Sequence, residues 1–478
     1  MFDSVNGNKL RGFLGVEALD SFSFFGFYYL LIFYLTSPLI DGGLGISDSI
    51  GLKIVALFGA ILPLAGLFSG YIADKYLTPS KMIVIGCFLY IFGYILLCFN
   101  QGSYLLMFPL LLIILGNGFV KPMLSSLIGS LYDNDKKRDF AYSLFYLVIN
   151  VSGTLTAIIL GYLSFTYGFN LSFFICIACI CIALCYFVLT NKLDIKKSNN
   201  LNDCNHSLEK SIYLGLLTII GLIILFVCLN YFSILSVSEI FTIISIILAI
   251  IPITYFFFVF QSNEITKFEK NNVLSFIPIF ISVVFILGVQ NQIGEVIPLF
   301  INEHVALLSW MEPTDLTMLQ PFFVVIITII NMLILNKNIK FKNDFLSRFS
   351  GYNFKIMLSL LLSALSFLFF IIPLVLDGHD KVGLIWPILA IFFMSVSELI
   401  AVPIGLSLAY KLAPVKFKTS FIALIYVGAT CGEIVNMSVN NSYNPNSPLL
   451  FFEIFFILLL IITICYFYFN KIIENRRL

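Results

Sequence analysis

Charge is what this sequence has least of. Asp, Glu, Lys and Arg make up 11% of its 478 residues, against about a quarter in soluble globular domains. With 60% hydrophobic residues and a mean hydropathy of +1.02, the chain is read as an all-α membrane protein, and counting domains at roughly 150 residues each loses its meaning. Neither sign of charge dominates: 27 Lys and Arg against 26 Asp and Glu leave a net +1, so no overall field points to nucleic acid or another polyelectrolyte, and no nucleic-acid partner is expected. Histidine is nearly absent. The three present, His206, His304 and His379, are all expected in loops, which argues against a metal centre, and no cofactor is called for. No GxxxxGK[ST] phosphate loop occurs and no polar stretch is long enough for a nucleotide-binding domain, which removes transport driven by ATP on this chain. The absence of HExxH or another catalytic constellation makes a membrane enzyme the weakest reading. The first residues, MFDSVNGNKLRGFLGVEALDS, are interrupted by acids and lack a small-residue cleavage site, so the first apolar segment is expected to stay as a span.

Long apolar runs are abundant. Stretches of about 18–25 residues with few charges give fourteen expected spans, near 13–36, 49–72, 82–100, 103–130, 140–164, 169–190, 212–234, 239–261, 273–299, 317–336, 354–375, 383–410, 418–440 and 449–470. Most of the ten cysteines lie in these runs, as do Cys176, Cys179, Cys181 and Cys185, and are expected to act as small buried hydrophobes. All but three of the 27 lysines and arginines fall in segments on one side of the bilayer, the exceptions being Lys53, Lys121 and Lys381. That bias places both termini in the cytoplasm with an even number of spans, and the membrane is expected to be the plasma (inner) membrane. The polar stretch after the sixth span reads as a flexible connector. The expected division is therefore a six-helix unit (1–190), a linker (191–211), a two-helix insertion (212–262) and a second six-helix unit (263–478).

Ionisable residues at bilayer depth cost several kcal/mol unless paired or hydrated, so they mark function. Glu17 and Asp20 lie three residues apart on one face of the first span, close enough to compete for ionisation and to carry a proton. The alternative is that both are hydrated at the cytoplasmic mouth. Lys121, in the inner half of the fourth span, and Glu398, at similar depth in the twelfth, are a candidate gate pair that forms and breaks as two halves approach and part. Glu295 and Glu433 are second-rank candidates in the outer thirds of their helices; Lys53 is expected to snorkel and Glu453 to be interfacial.

These residues sit in segments that resemble the proton-dependent oligopeptide transporters of the major facilitator superfamily. LGNGFVKPMLSSLIGSLY (115–132) is similar to the family's Gly-x-Gly-x-x-Lys-Pro segment, and FAYSLFYLVINVSG (140–153) to its Phe-Tyr-x-x-Ile-Asn-x-Gly segment. SELIAVPIGLSLAYKLAP (397–414) resembles the family's Glu-x-x-x-x-Pro-x-Gly stretch, and GYIADKYLTPSK (70–81) keeps Gly70 and Asp74 of the superfamily loop, with Thr78 where glycine is usual.

The resemblance implies the major facilitator fold, two six-helix bundles plus two extra helices, and a proton-coupled symporter importing di- or tripeptides by alternating access. It implies that Lys121 and Glu398 hold a peptide's two ends, with polar contacts from Asn150, Gln292 and Gln320. Phe24, Phe25, Tyr28, Tyr29, Phe145 and Tyr146 would line side-chain pockets. Protons are the coupling ion, carried by Glu17, Asp20 and Glu295, and the working unit is a monomer. The sequence departs from the family's Glu-x-x-Glu-Arg, reading Glu17-Ala18-Leu19-Asp20-Ser21. Tyr28 replaces a second basic residue and Asn291 the glutamate facing it, so a charged pair is lost as a pair. Glu295 is expected one helical turn beyond Asn291, on the same face. Glu17, Asp20 and Glu398 then face Lys121 alone, a net −2 on full ionisation, and at least one acid is expected to hold a proton. Two alternatives stay open, a relative carrying an amino acid, organic anion or nitrate, and a non-transporting sensor on the same scaffold.

Overall fold

A computed structural model describes residues 5–99, 106–191, 237–309, 311, 316, 319–336, 351–376, 381–440 and 442–477. Fourteen α-helices follow one another among them: α1 Val5–Thr36, α2 Asp48–Lys75, α3 Pro79–Phe99, α4 Met107–Ser130, α5 Asp135–Tyr167, α6 Phe169–Thr190, α7 Val237–Gln261, α8 Lys267–Asn291, α9 Val296–His304, α10 Leu319–Asn336, α11 Tyr352–Leu376, α12 Ile385–Leu412, α13 Lys418–Asn440 and α14 Leu449–Arg477. Eleven helices are long and apolar enough to cross a membrane among the described residues, and the chain is a multi-pass membrane protein. Residues 192–211 of the connector and the expected span 212–234 lie outside the described residues, as do His206, His379 and the side chain of Lys53.

The expected helix 273–299 is broken. α8 stops at Asn291, a single 3-10 turn covers Gln292–Gly294, Glu295 takes φ −114° and ψ −90°, and α9 begins at Val296. Pro298 explains the break: in a continuous helix it would deny Gly294 its hydrogen bond and clash with that carbonyl, whereas three residues into a new helix its missing N–H costs nothing. Glu295 is therefore not one helical turn beyond Asn291, and His304, expected in a loop, ends α9. Of the cysteines expected to be buried, Cys176 is, Cys179 and Cys181 are half-buried, and Cys185 is exposed.

The chain divides into two compact units, Met1–Glu264 with Val415–Val427, and Ile265–Pro414 with Gly428–Leu478. In the first, α1 packs on α5 and α6, α3 on α4 and α6, and α2 on α4. A Cβ added at Gly118 would come within 2.6 Å of the Ala65 backbone, so only glycine lets α4 lie this close to α2. Pro122, four residues on, cannot donate to the Gly118 carbonyl, and the Ser69 hydroxyl of α2 donates to it instead. Together these residues fix the position of Lys121 one helical step away. Asp74, at the end of α2, accepts from the Thr419 N–H (2.9 Å), the Ser420 N–H (2.8 Å) and the Ser420 hydroxyl (2.6 Å), capping first-turn donors of α13 that its own helix cannot satisfy. Asp74→Ala is expected to destabilise the detergent-solubilised protein by about 1–2 kcal/mol, the range for losing an N-cap, with Asp74→Asn milder; melting curves check it.

In the second unit, α11 packs on α12 and α14, and α12 on α8 and α10. α8 opens with a capping box in which Thr266 accepts from the Glu269 N–H and Glu269 from the Thr266 N–H.

Candidate functional site

In the first unit, α1 and α4 bring the sequence-derived charges together. Lys121 Nζ lies 3.2 Å from Glu17 Oε1 and donates to the Ser21 hydroxyl at 3.3 Å; that hydroxyl donates to the same Glu17 oxygen at 2.8 Å. The ammonium also stands 5.0 Å from the centre of the Phe25 ring, a cation–π distance. Lys121 thus shares one carboxylate oxygen with Ser21. Glu17 and Asp20 are both buried, at 0% and 1% exposure, which removes the alternative of carboxylates hydrated at a mouth. Glu17 Oε2 has no hydrogen-bond partner among the described residues, and Asp20 meets the Tyr90 hydroxyl. Burying two carboxylates against one ammonium is costly unless one is neutral.

The aromatic candidates form one run along α1. Phe24 stacks on Tyr28 and on Phe58, and Phe25 on Tyr29. Phe24 is buried, whereas Tyr29 is 46% exposed. Phe145 and Tyr146 are buried, and Asn150 donates to the Tyr146 carbonyl at 2.9 Å within its own helix.

The second unit holds two polar centres. Glu398, 8% exposed, accepts from Gln320 at 2.6 Å, so two residues implied by the resemblance meet. The other centre joins α8, the 3-10 turn and α13. Asn291 donates to Glu433 Oε2 at 2.7 Å, Asn436 to Glu295 Oε1 at 3.2 Å, and Asn440 to Glu295 Oε2 at 2.6 Å, while Gln292 donates to Asn440 at 2.8 Å. Gln292 is thus fully buried in this cluster. Glu433 reaches Glu295 within hydrogen-bonding range, so the second-rank acids form a pair. The register comes from Gly432, where a Cβ would come within 2.6 Å of the Gly288 N and the Val284 carbonyl: α8 and α13 touch backbone to backbone.

Ser21, Asn436 and Asn440 were absent from the sequence-derived candidates. A signal for the last two existed: Glu433, Asn436 and Asn440 fall at i, i+3 and i+7, one polar stripe on an otherwise apolar helix. Ser21 carried no such pattern. Among the described residues, no group of three or more His, Cys, Asp or Glu is placed to hold a metal ion.

The sequence profile of the POT family matches residues 80–446. The chain is 27% identical over 447 residues to the uncharacterized transporter YclF of Bacillus subtilis, covering 91% of this chain and 88% of that one. It is 26% identical over 453 residues to a di-/tripeptide transporter of Lactococcus lactis subsp. cremoris, covering 92% and 90%. Among solved structures, a peptide transporter POT in complex with alafosfalin aligns at TM-score 0.71 and 26% identity, covering 98% of this chain and 96% of that one. The same transporter type with sulfate aligns at TM-score 0.71 and 25% identity, over 98% and 95%.

Proposed function

The chain belongs to the POT family, a transporter and not an enzyme, and from that premise we propose that it is a proton-coupled symporter importing di- or tripeptides or peptide-like compounds by alternating access. The observation that carries the reading is the Lys121–Glu17–Ser21 contact on α1 and α4. With Glu17 ionised, the ammonium is neutralised inside the protein. A proton on Glu17 removes that partner, and the desolvated ammonium then needs another anion. A peptide carboxylate supplies one, so proton and substrate bind better together than apart, which is the differential affinity that coupling requires.

Glu398, held by Gln320, is the acid for the peptide's amino end, and a gate between Lys121 and Glu398 belongs to the same proposal. So do a second acid at Asp20, side-chain contacts from the α1 aromatics, a monomer, cytoplasmic termini in the plasma membrane and the division into two six-helix units and an insertion. Solved relatives holding a peptide-like ligand and di-/tripeptide transporters among the relatives support the substrate class.

Competition tests that class. Uptake of a labelled dipeptide into proteoliposomes is expected to be suppressed by excess unlabelled di- and tripeptides and left unchanged by single amino acids or nitrate. Suppression by amino acids or nitrate but not by peptides would overturn the peptide assignment, and Ser21 in place of an arginine, one carboxylate anchor fewer, would then account for it.

A further inference from the structure

Glu295, in the break that follows α8, and Glu433, on α13, are two half-buried acids. Among the described residues, no Lys, Arg or His forms an ion pair with either. The ionisable groups of neighbouring elements are engaged elsewhere or form no ion pair with them: Glu398 of α12 with Gln320, Lys411 of α12 over the Tyr352 ring, and His304 of α9 with the Pro445 carbonyl and Glu303. Lys355 of α11 and Glu453 of α14 likewise form no ion pair with the two acids. What surrounds the pair is amide: Asn291 on Glu433, Asn436 and Asn440 on Glu295, with Gln292 behind Asn440. Asn436 and Gln292 are 0% exposed, and Asn436 Oδ1 and Gln292 Oε1 have no hydrogen-bond partner among the described residues. Two carboxylates in hydrogen-bonding range of each other, with amides and no cation around them among the described residues, repel when both are ionised.

We propose that Glu295 and Glu433 hold a single proton between them, a second proton-binding site confined to the C-terminal unit. The two acids are not equivalent. Glu295 accepts two amide hydrogen bonds and immediately precedes the first turn of α9, whose N-terminal dipole favours negative charge. Glu433 accepts one. The proton accordingly sits on Glu433 and is donated to Glu295, giving a carboxyl–carboxylate pair with one negative charge rather than two. The backbone contact of Gly432 with Gly288 holds the two acids together, so a slide of α13 along α8 would separate them and release the proton. Its role in transport rests on the proton-coupled reading above; its existence does not.

The test reads the proton directly. Infrared difference spectra of the purified, reconstituted protein without substrate, recorded in H2O and D2O at neutral pH, are expected to show a protonated-carboxyl C=O band that is lost in Glu433→Gln. The band is also expected to be lost in Glu295→Gln, because a single remaining carboxylate no longer faces a second charge, and to survive Asp20→Asn. Two separate acid variants guard against the misfolding of either, with elution as a single peak as the check. An unchanged band in both would overturn the proposal. So would a sodium-dependent rise in melting temperature, relative to choline, that Glu433→Gln abolishes, since a metal cation would then occupy the pair. A wild type that shows the band but takes up peptide equally with and without a proton gradient would instead contradict proton coupling and leave the site standing.

Discussion

Lys121→Ala is expected to abolish gradient-driven uptake and to destabilise the protein at the same time. The ammonium contributes a charge-assisted contact to a substrate carboxylate, about 1.5–3 kcal/mol, which corresponds to a roughly 10–100-fold loss of apparent affinity. The same substitution leaves Glu17, at 0% exposure, facing only the Ser21 hydroxyl, and breaking a buried pair from one side costs about 3–5 kcal/mol. The two effects separate in the double variant. Glu17→Gln added to Lys121→Ala removes the stranded charge, so melting should recover most of its loss while uptake stays absent. Recovery of uptake in the double variant would mean that Lys121 serves folding and not substrate.

Glu17→Gln alone is expected to uncouple the transporter. The amide retains the shape of the side chain and its hydrogen bond with Ser21, but it cannot gain or lose a proton, and it leaves the ammonium permanently without its ionic partner. Substrate can still bind to Lys121 and exchange across the bilayer, so counterflow of labelled against unlabelled peptide should persist at a rate near that of the wild type. Accumulation above equilibrium under an inward proton gradient should disappear. Because the pair sits on α1 and α4 of one unit, this substitution leaves the amide-lined pair at Glu295 and Glu433 intact. Persisting accumulation in Glu17→Gln would move the coupling proton to Asp20 or to that second pair.

Much of the fold was legible in the sequence because the bilayer imposes a simple rule: a span has to satisfy its own backbone and be apolar over about 20 residues. The expected spans 354–375 and 383–410 appear as Tyr352–Leu376 and Ile385–Leu412. Where the rule failed, at 273–299, hydropathy saw an unbroken apolar run but not the hydrogen bond that Pro298 could not make. The site was half legible. Charges at depth announce themselves by cost, so Lys121, Glu17, Asp20 and Glu398 were found from the residues. Their pairing was not, because which of two buried acids meets a lysine depends on helix rotation and on close approaches such as Gly118 against Ala65. The asparagines around Glu295 carry no charge and leave a faint trace in hydropathy, yet they decide how that acid is held.

The most direct test of the central claim is uptake of a labelled dipeptide into wild-type proteoliposomes with and without an inward proton gradient. Accumulation above the external concentration that appears with the gradient and collapses when an ionophore dissipates it is the expected result. Equal uptake in the two conditions, or none in a folded preparation that elutes as a single peak, would contradict proton-driven peptide import.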